Sequence, residues 1–372
     1  MITKVDASSE ILPNRGSSKP DSEAIGPECD EKVAWQRARN IDTSLQVKLV
    51  KISHMRYQHP DLDILTTFLT DFGMHVTKRS QNEAWFHGYG PDHYVYYARK
   101  GEKKFLGGAF EVESYQDLER ILDIPDVRTL EGGIRAMSEA PGQGSILTIE
   151  DPEGFPVNFV FGQSTIDQAR IEEASRTRSN TLVLNYETEK SRQRAFQRFE
   201  PGPAEVYKLG HFGLVTAKFE VLKDWYTRYF NIVPSDLLYV TEGDDLKRRE
   251  VAMFAHIDRG LDLVDHHTLF LSTAPPGKKP HPHHCSFEVH DFDTQALGHQ
   301  WLAAKNYKSV WGIGRHILGS QIFDYWWDVT GNMVEHYADG DVVNKETPLA
   351  YAPAGNEGLA VWGPEVPPTF LE

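Results

Sequence analysis

Cysteine is nearly absent: 372 residues hold two, Cys29 and Cys285. That argues against a secreted disulfide framework and fits a reducing cytoplasm. No run approaches the roughly 20 apolar residues of a membrane span. The opening stretch, MITKVDASSEILPNRGSSKPDSE, has no apolar h-region, so no secretory signal is expected. Basic residues are outnumbered, 39 against 54, for a formal net charge of −15. That disfavours nucleic acid and anionic membranes as partners, since both reward basic patches.

What the chain does have is histidine, 16 in all, and a hydrophobic fraction of 40%, enough for a sizeable core. Its organisation follows composition. Residues 1–46 are polar and aperiodic and read as a mobile leader, with one helix around Glu31–Ile41. Residues 166–205 are highly charged and read as a linker; residues 349–372 read as a Pro-rich tail wrapping the surface.

Between these segments the sequence repeats itself. KISHMRYQHPDLDILTTFL, from Lys51, parallels KLGHFGLVTAKFEVLKDWY, from Lys208; each is a strand carrying a His, a loop, and an amphipathic helix. GGAFEVESYQDLERIL, from Gly107, parallels HHCSFEVHDFDTQALGHQWL, from His283; each ends a strand in FEV before a capped helix. SILTIEDPEGFPVNFVFG, from Ser145, parallels IFDYWWDVTGNMVEHYADG, from Ile322; each is a hairpin about Asp-x-x-Gly. The fold class is therefore α+β: four βαβββ modules in two domains, residues 47–165 and 206–348. Each domain should be a curved, mostly antiparallel sheet closed around a cleft with its helices outside.

The repeat aligns His211 with His54, His284 with Gly107, and Glu335 with Asn158. Two imidazoles and one carboxylate on separate strands suit a facial triad for iron(II), with open positions left for substrate and oxygen. The N-terminal half keeps only His54 and should be metal-free. A lone strand histidine is more often structural than a ligand, and His283 competes with His284, because side chains alternate across a strand.

The run GRHILGSQIFDYWWDVTGNMVEHYADGD resembles the signature of type I extradiol ring-cleaving dioxygenases of the vicinal oxygen chelate superfamily. That resemblance implies catalytic roles for His316 and Tyr325 and a ligand role for Glu335. The HH-x-S-F motif then matches the ligand His284, GHFGL gives His211, and DHHTLFL resembles the strand carrying another catalytic histidine, His267 in preference to His266. The family implies Fe(II) as cofactor, with Mn(II) also accommodated, O2 as co-substrate, a small aromatic diol as substrate, and a homo-oligomer. Catechol-type rings would be opened beside the diol to a semialdehyde or keto acid. Tyr325 and His316 would assist substrate deprotonation, and His267 would handle the later proton. The rival readings are a glyoxalase-type isomerase on the same fold and a small-molecule-binding member that has lost its metal.

Overall fold

A computed structural model describes residues 28–166, 201–243 and 247–370 of the protein. The N-terminal half contains β2 (Leu49–His59), α2 (Leu62–Asp71), β3 (His75–Arg79), β4 (Glu83–His87) and β5 (Tyr96–Lys100). It then repeats the pattern with β6 (Lys104–Val112), α3 (Tyr115–Ile121), β7 (Arg128–Ala136), β8 (Ser145–Glu150) and β9 (Pro156–Phe161). The C-terminal half does the same: β10 (Val206–Thr216), α4 (Phe219–Tyr229), β11 (Ile232–Glu242), β12 (Lys247–Ile257), β13 (Val264–Asp265) and β14 (Leu269–Thr273). There follow β15 (His281–Val289), α5 (Phe292–Ala304), β16 (Ser309–His316), β17 (Ile322–Trp327) and β18 (Met333–Ala338).

Strand order confirms the repeat. One sheet runs β3-β4-β5-β2-β6-β9-β8-β7, and the other contains β11-β12-β14-β10-β15-β18-β17-β16, the same order module for module. In every module the first strand lies parallel to the last, while the two modules of each half join through an antiparallel pair, β2 with β6 and β10 with β15.

Local chemistry accounts for the elements. Asp61 caps α2 by accepting from the amides of Asp63 and Ile64, and Leu62, Leu65, Phe68 and Leu69 point into the core at helical spacing. Ser114 and Asp291 cap α3 and α5 in the same way. The Asp-x-x-Gly hairpins are tied by their aspartates: Asp151 accepts from the amides of Glu153, Gly154 and Phe155, and Asp328 from those of Thr330 and Asn332.

The halves share one core. Phe110 and Phe105 pack on Phe212, Phe159 stacks on Phe230 at 5.0 Å, and Phe72 meets Phe287 edge-on. Buried polar links cross the same boundary, among them Asn231 to the Leu49 backbone and His336 Nε2 to the Phe72 carbonyl at 2.8 Å.

The ends of the chain depart from the sequence expectation. Residues 28–46 are not a free leader: the helix expected around Glu31–Ile41 is α1 (Lys32–Ala38), which buries Trp35, and β1 (Glu28–Asp30) pairs with β20 (Leu349–Pro353). A single buried tryptophan and a lysine reaching the Asn344 carbonyl are too sparse to register as periodicity. The tail does not merely wrap the surface. β20 joins the main sheet beside β11, β19 (Val342–Val343) pairs with β13, and β21 (Ala360–Trp362) adds an edge to β16. The charged linker falls mostly outside the described residues.

Candidate metal centre

The three C-terminal segments singled out by the repeat meet inside the second sheet. His211 projects from β10, His284 from β15 and Glu335 from β18, all at least 95% buried. His211 Nε2 lies 3.1 Å from His284 Nε2 and 3.3 Å from Glu335 Oε2, and the last pair is separated by 3.7 Å. Atoms sharing one ion through bonds of roughly 2.1 Å stand this far apart.

The donor set also fits an ion by what it lacks. Both Glu335 oxygens are buried with no hydrogen-bond partner. A carboxylate left so deep without a donor is costly, and a divalent cation at the meeting point of the three side chains removes that cost. Two neutral nitrogens and one oxygen are borderline donors that suit iron(II) or manganese(II). Burial pushes the pKa of His284 well below its ordinary value, helped by the neighbouring histidines, so the ring is neutral and its lone pair free.

The two adjacent histidine pairs separate cleanly. His284 faces the triad. His283 turns the other way: its Nδ1 sits 2.6 Å from His284 Nδ1 and its Nε2 2.7 Å from the Phe370 carbonyl. With Nε2 of His284 turned to His211 and Glu335, its Nδ1–H donates to His283, whose Nε2–H donates to the Phe370 carbonyl. His267, just before β14, lies tilted against His211 with the ring centroids 4.0 Å apart, while His266 lies 2.7 Å from the Asp236 carboxylate and 3.2 Å from His267.

On the third side are Tyr325 of β17 and His316 of β16, with the Tyr325 hydroxyl 3.0 Å from His316 Nε2. The Leu359 carbonyl accepts from His316 Nδ1 at 2.8 Å, which leaves Nε2 with its lone pair toward Tyr325. Burial lowers the His316 pKa against the pull of Glu335, and burial with Glu335 raises that of Tyr325 well above its ordinary value. The imidazole is thus a neutral acceptor and the phenol a neutral donor. His267 is likewise held neutral, by burial first and then by His211, His266, His284 and His316.

All six residues except Glu335 line a cavity of about 260 Å³, whose wall also includes the apolar Leu238, Phe254 and Phe270 and the polar His283 and Gln321. Sequence reasoning missed its lid. Leu359 and Phe370 come from the tail, with the Phe370 ring 4.8 Å from both Tyr325 and Trp311. Their backbone carbonyls do the orienting, and a carbonyl leaves no trace in residue type.

The N-terminal counterpart is built differently. Gly107 takes the place of His284, with φ +95° and a Cβ position only 2.1 Å from the Pro156 carbonyl oxygen, so no imidazole fits there. Asn158 replaces Glu335, and Arg56, at the step of Gly213, reaches across to the Asn158 side chain and to Thr148. A guanidinium occupies the place that the other half leaves open.

Residues 208–335 match the sequence model of the glyoxalase/bleomycin resistance protein/dioxygenase superfamily. Metapyrocatechase 2 of Cupriavidus necator is 28% identical over 340 residues, 86% of this chain and 91% of that protein. Homoprotocatechuate 2,3-dioxygenase of Arthrobacter globiformis superposes with a TM-score of 0.71 at 20% identity, covering 88% of this chain and 93% of that one. The Mn(II)-bound glyoxalase of Novosphingobium aromaticivorans gives 0.67 at 18% identity, over 87% and 94%. Residues 208–335 are thus a domain of the glyoxalase/bleomycin resistance protein/dioxygenase superfamily, set in a chain whose two halves repeat one strand order.

Proposed function

We propose that the protein is an iron(II)-dependent extradiol dioxygenase that opens a catechol-type ring with O2, using His211, His284 and Glu335 as metal ligands. The observation that carries this is the company the triad keeps: a Tyr–His hydrogen-bonded pair on one side and a third neutral imidazole on the other, in a single apolar cavity. An isomerase or a binding protein has no need of that set. The names of the relatives support it, since a metapyrocatechase and a homoprotocatechuate 2,3-dioxygenase are among them.

The ion, Fe(II) in this reading and Mn(II) as the alternative, would bring catechol and oxygen together and pass electron density between them. The chain supplies the proton handling. His316 Nε2, its other nitrogen committed to Leu359, can take a proton passed through the Tyr325 hydroxyl from a substrate OH. Tyr325 remains a donor to the substrate oxygen, because burial keeps its own proton on. His267 also lines this cavity, where its neutral ring can accept a proton and return it to the product. The apolar lining and Phe370 exclude water from reactive species.

Oxygen-electrode assays of a catechol panel with Fe(II)-loaded protein, read together with the product spectrum, test the reading. Substrate-dependent oxygen uptake with a yellow ring-opened product supports it. Turnover of a glutathione hemithioacetal without oxygen uptake would favour the isomerase instead.

A further inference from the structure

We propose that the cleft of the N-terminal domain is a second ligand site, which takes a small aromatic carboxylate on the Arg56, Arg99 and Arg135 guanidinium groups. This cleft has a volume of about 490 Å³, room enough for a small ring. It is not a collapsed relic. Trp85, Tyr94 and Tyr97 wall it, and the buried Arg56 projects into it from β2, its guanidinium 5.1 Å from the Tyr97 ring.

The charge pattern identifies the ligand class. All three guanidinium groups converge on one carboxylate, Glu131: it is ion-paired to Arg135, 3.6 Å from Arg99 and 3.9 Å from Arg56. Of the other acidic residues in the lining, Glu83 accepts from the Tyr97 hydroxyl and Glu139, 81% exposed, is paired to Lys78. Three guanidinium groups thus share a single carboxylate, Glu131. Planar guanidinium groups recognise carboxylates bidentately, and an aromatic wall beside them suits a ring.

Glu131 is placed to yield. It has φ +56° and is followed by Gly132 and Gly133, both at positive φ with open space around their Cβ positions. The β7–β8 ladder breaks between Leu130 and Arg135, across this segment. A glutamate on a strained, glycine-hinged bulge acts as an internal stand-in that an incoming carboxylate can displace. The site stands apart from the metal-cleft chemistry, because none of its lining residues belongs to the triad cavity.

Calorimetric titration of the full-length protein with benzoate tests this. The expected result is saturable binding of one benzoate per chain, weakened at least about tenfold in Arg135→Gln and tightened in Glu131→Gln. Binding by Glu335→Gln should be unchanged. Arg135 is partly exposed, so its replacement leaves the fold intact, and matched melting curves check that. The proposal is overturned if neither the parent nor Glu131→Gln binds benzoate, if Arg135→Gln binds as tightly as the parent, or if Glu335→Gln abolishes binding.

Discussion

Glu335 and Asn158 stand at the same step of the two halves. Glu335 lies between Ser286 and Tyr325 on its neighbouring strands, and Asn158 lies between Ala109 and Thr148. The register is identical and the chemistry is opposite. Where the carboxylate would meet a metal cation, the amide meets the guanidinium of Arg56. One architecture would therefore solve the problem of a polar cluster in a sheet interior twice, with an exchangeable cation in one half and a covalently attached one in the other.

The carboxylate alone should destabilise the metal-free protein, since neither Glu335 oxygen has a partner. Glu335→Gln is expected to raise the melting temperature of metal-free protein, by an amount on the order of 1–3 kcal/mol in stability. The same substitution should remove the additional stabilisation that Fe(II) or Mn(II) gives the parent. Thermal melts with and without metal check both parts.

Tyr325 and His316 are hydrogen-bonded to each other, and the proposed mechanism gives them one proton path, so their losses should not add. Tyr325→Phe and His316→Asn should each lower kcat by about 10²- to 10³-fold, and the double variant by little more than either. Multiplying effects in steady-state kinetics would show that the two residues act separately.

The tail contributes a ring and two carbonyls, and these can be separated. Phe370→Ala keeps its backbone carbonyl on His283 and removes only the ring over Tyr325, so KM should rise several-fold with kcat nearly unchanged. Truncation after residue 354 also removes the Leu359 carbonyl from His316, and should lower kcat as well.

Acid should loosen the junction between the halves through His59. Its Nδ1 is 2.7 Å from Thr330 Oγ1 and its Nε2 2.9 Å from the Tyr96 hydroxyl. Burial holds its pKa at about 4, below the 6.5 of the unfolded chain. Its neutral form is the one folding needs, so its contribution is complete above pH 6.5 and is lost as the pH falls toward 4. The loss amounts to about 3 kcal/mol at the lower end. In His59→Gln, denaturation curves across that window should have a shallower pH slope than in the parent.

Much of this was legible in the sequence because it is carried by side chains at repeated intervals. The strand histidine, FEV and Asp-x-x-Gly landmarks recur, so the four-module fold and the convergence of His211, His284 and Glu335 could be expected before any coordinates. Three things escaped. The roles of the Leu359 and Phe370 carbonyls depend on backbone placement, which residue type does not encode. The order of residues 28–46 rests on Trp35 and one strand pairing 320 residues away, too little for a periodic signal. Arg56 was visible two residues after His54, opposite Gly213. Its meaning appears only once Asn158 is seen within its reach.

The most direct test is to measure bound iron and catechol-dependent oxygen uptake on the same samples while His211, His284 and Glu335 are replaced one at a time. The account predicts one iron per chain in the parent, and loss of both iron and oxygen uptake in every variant. A variant at any of the three positions that keeps its iron and its rate would contradict it.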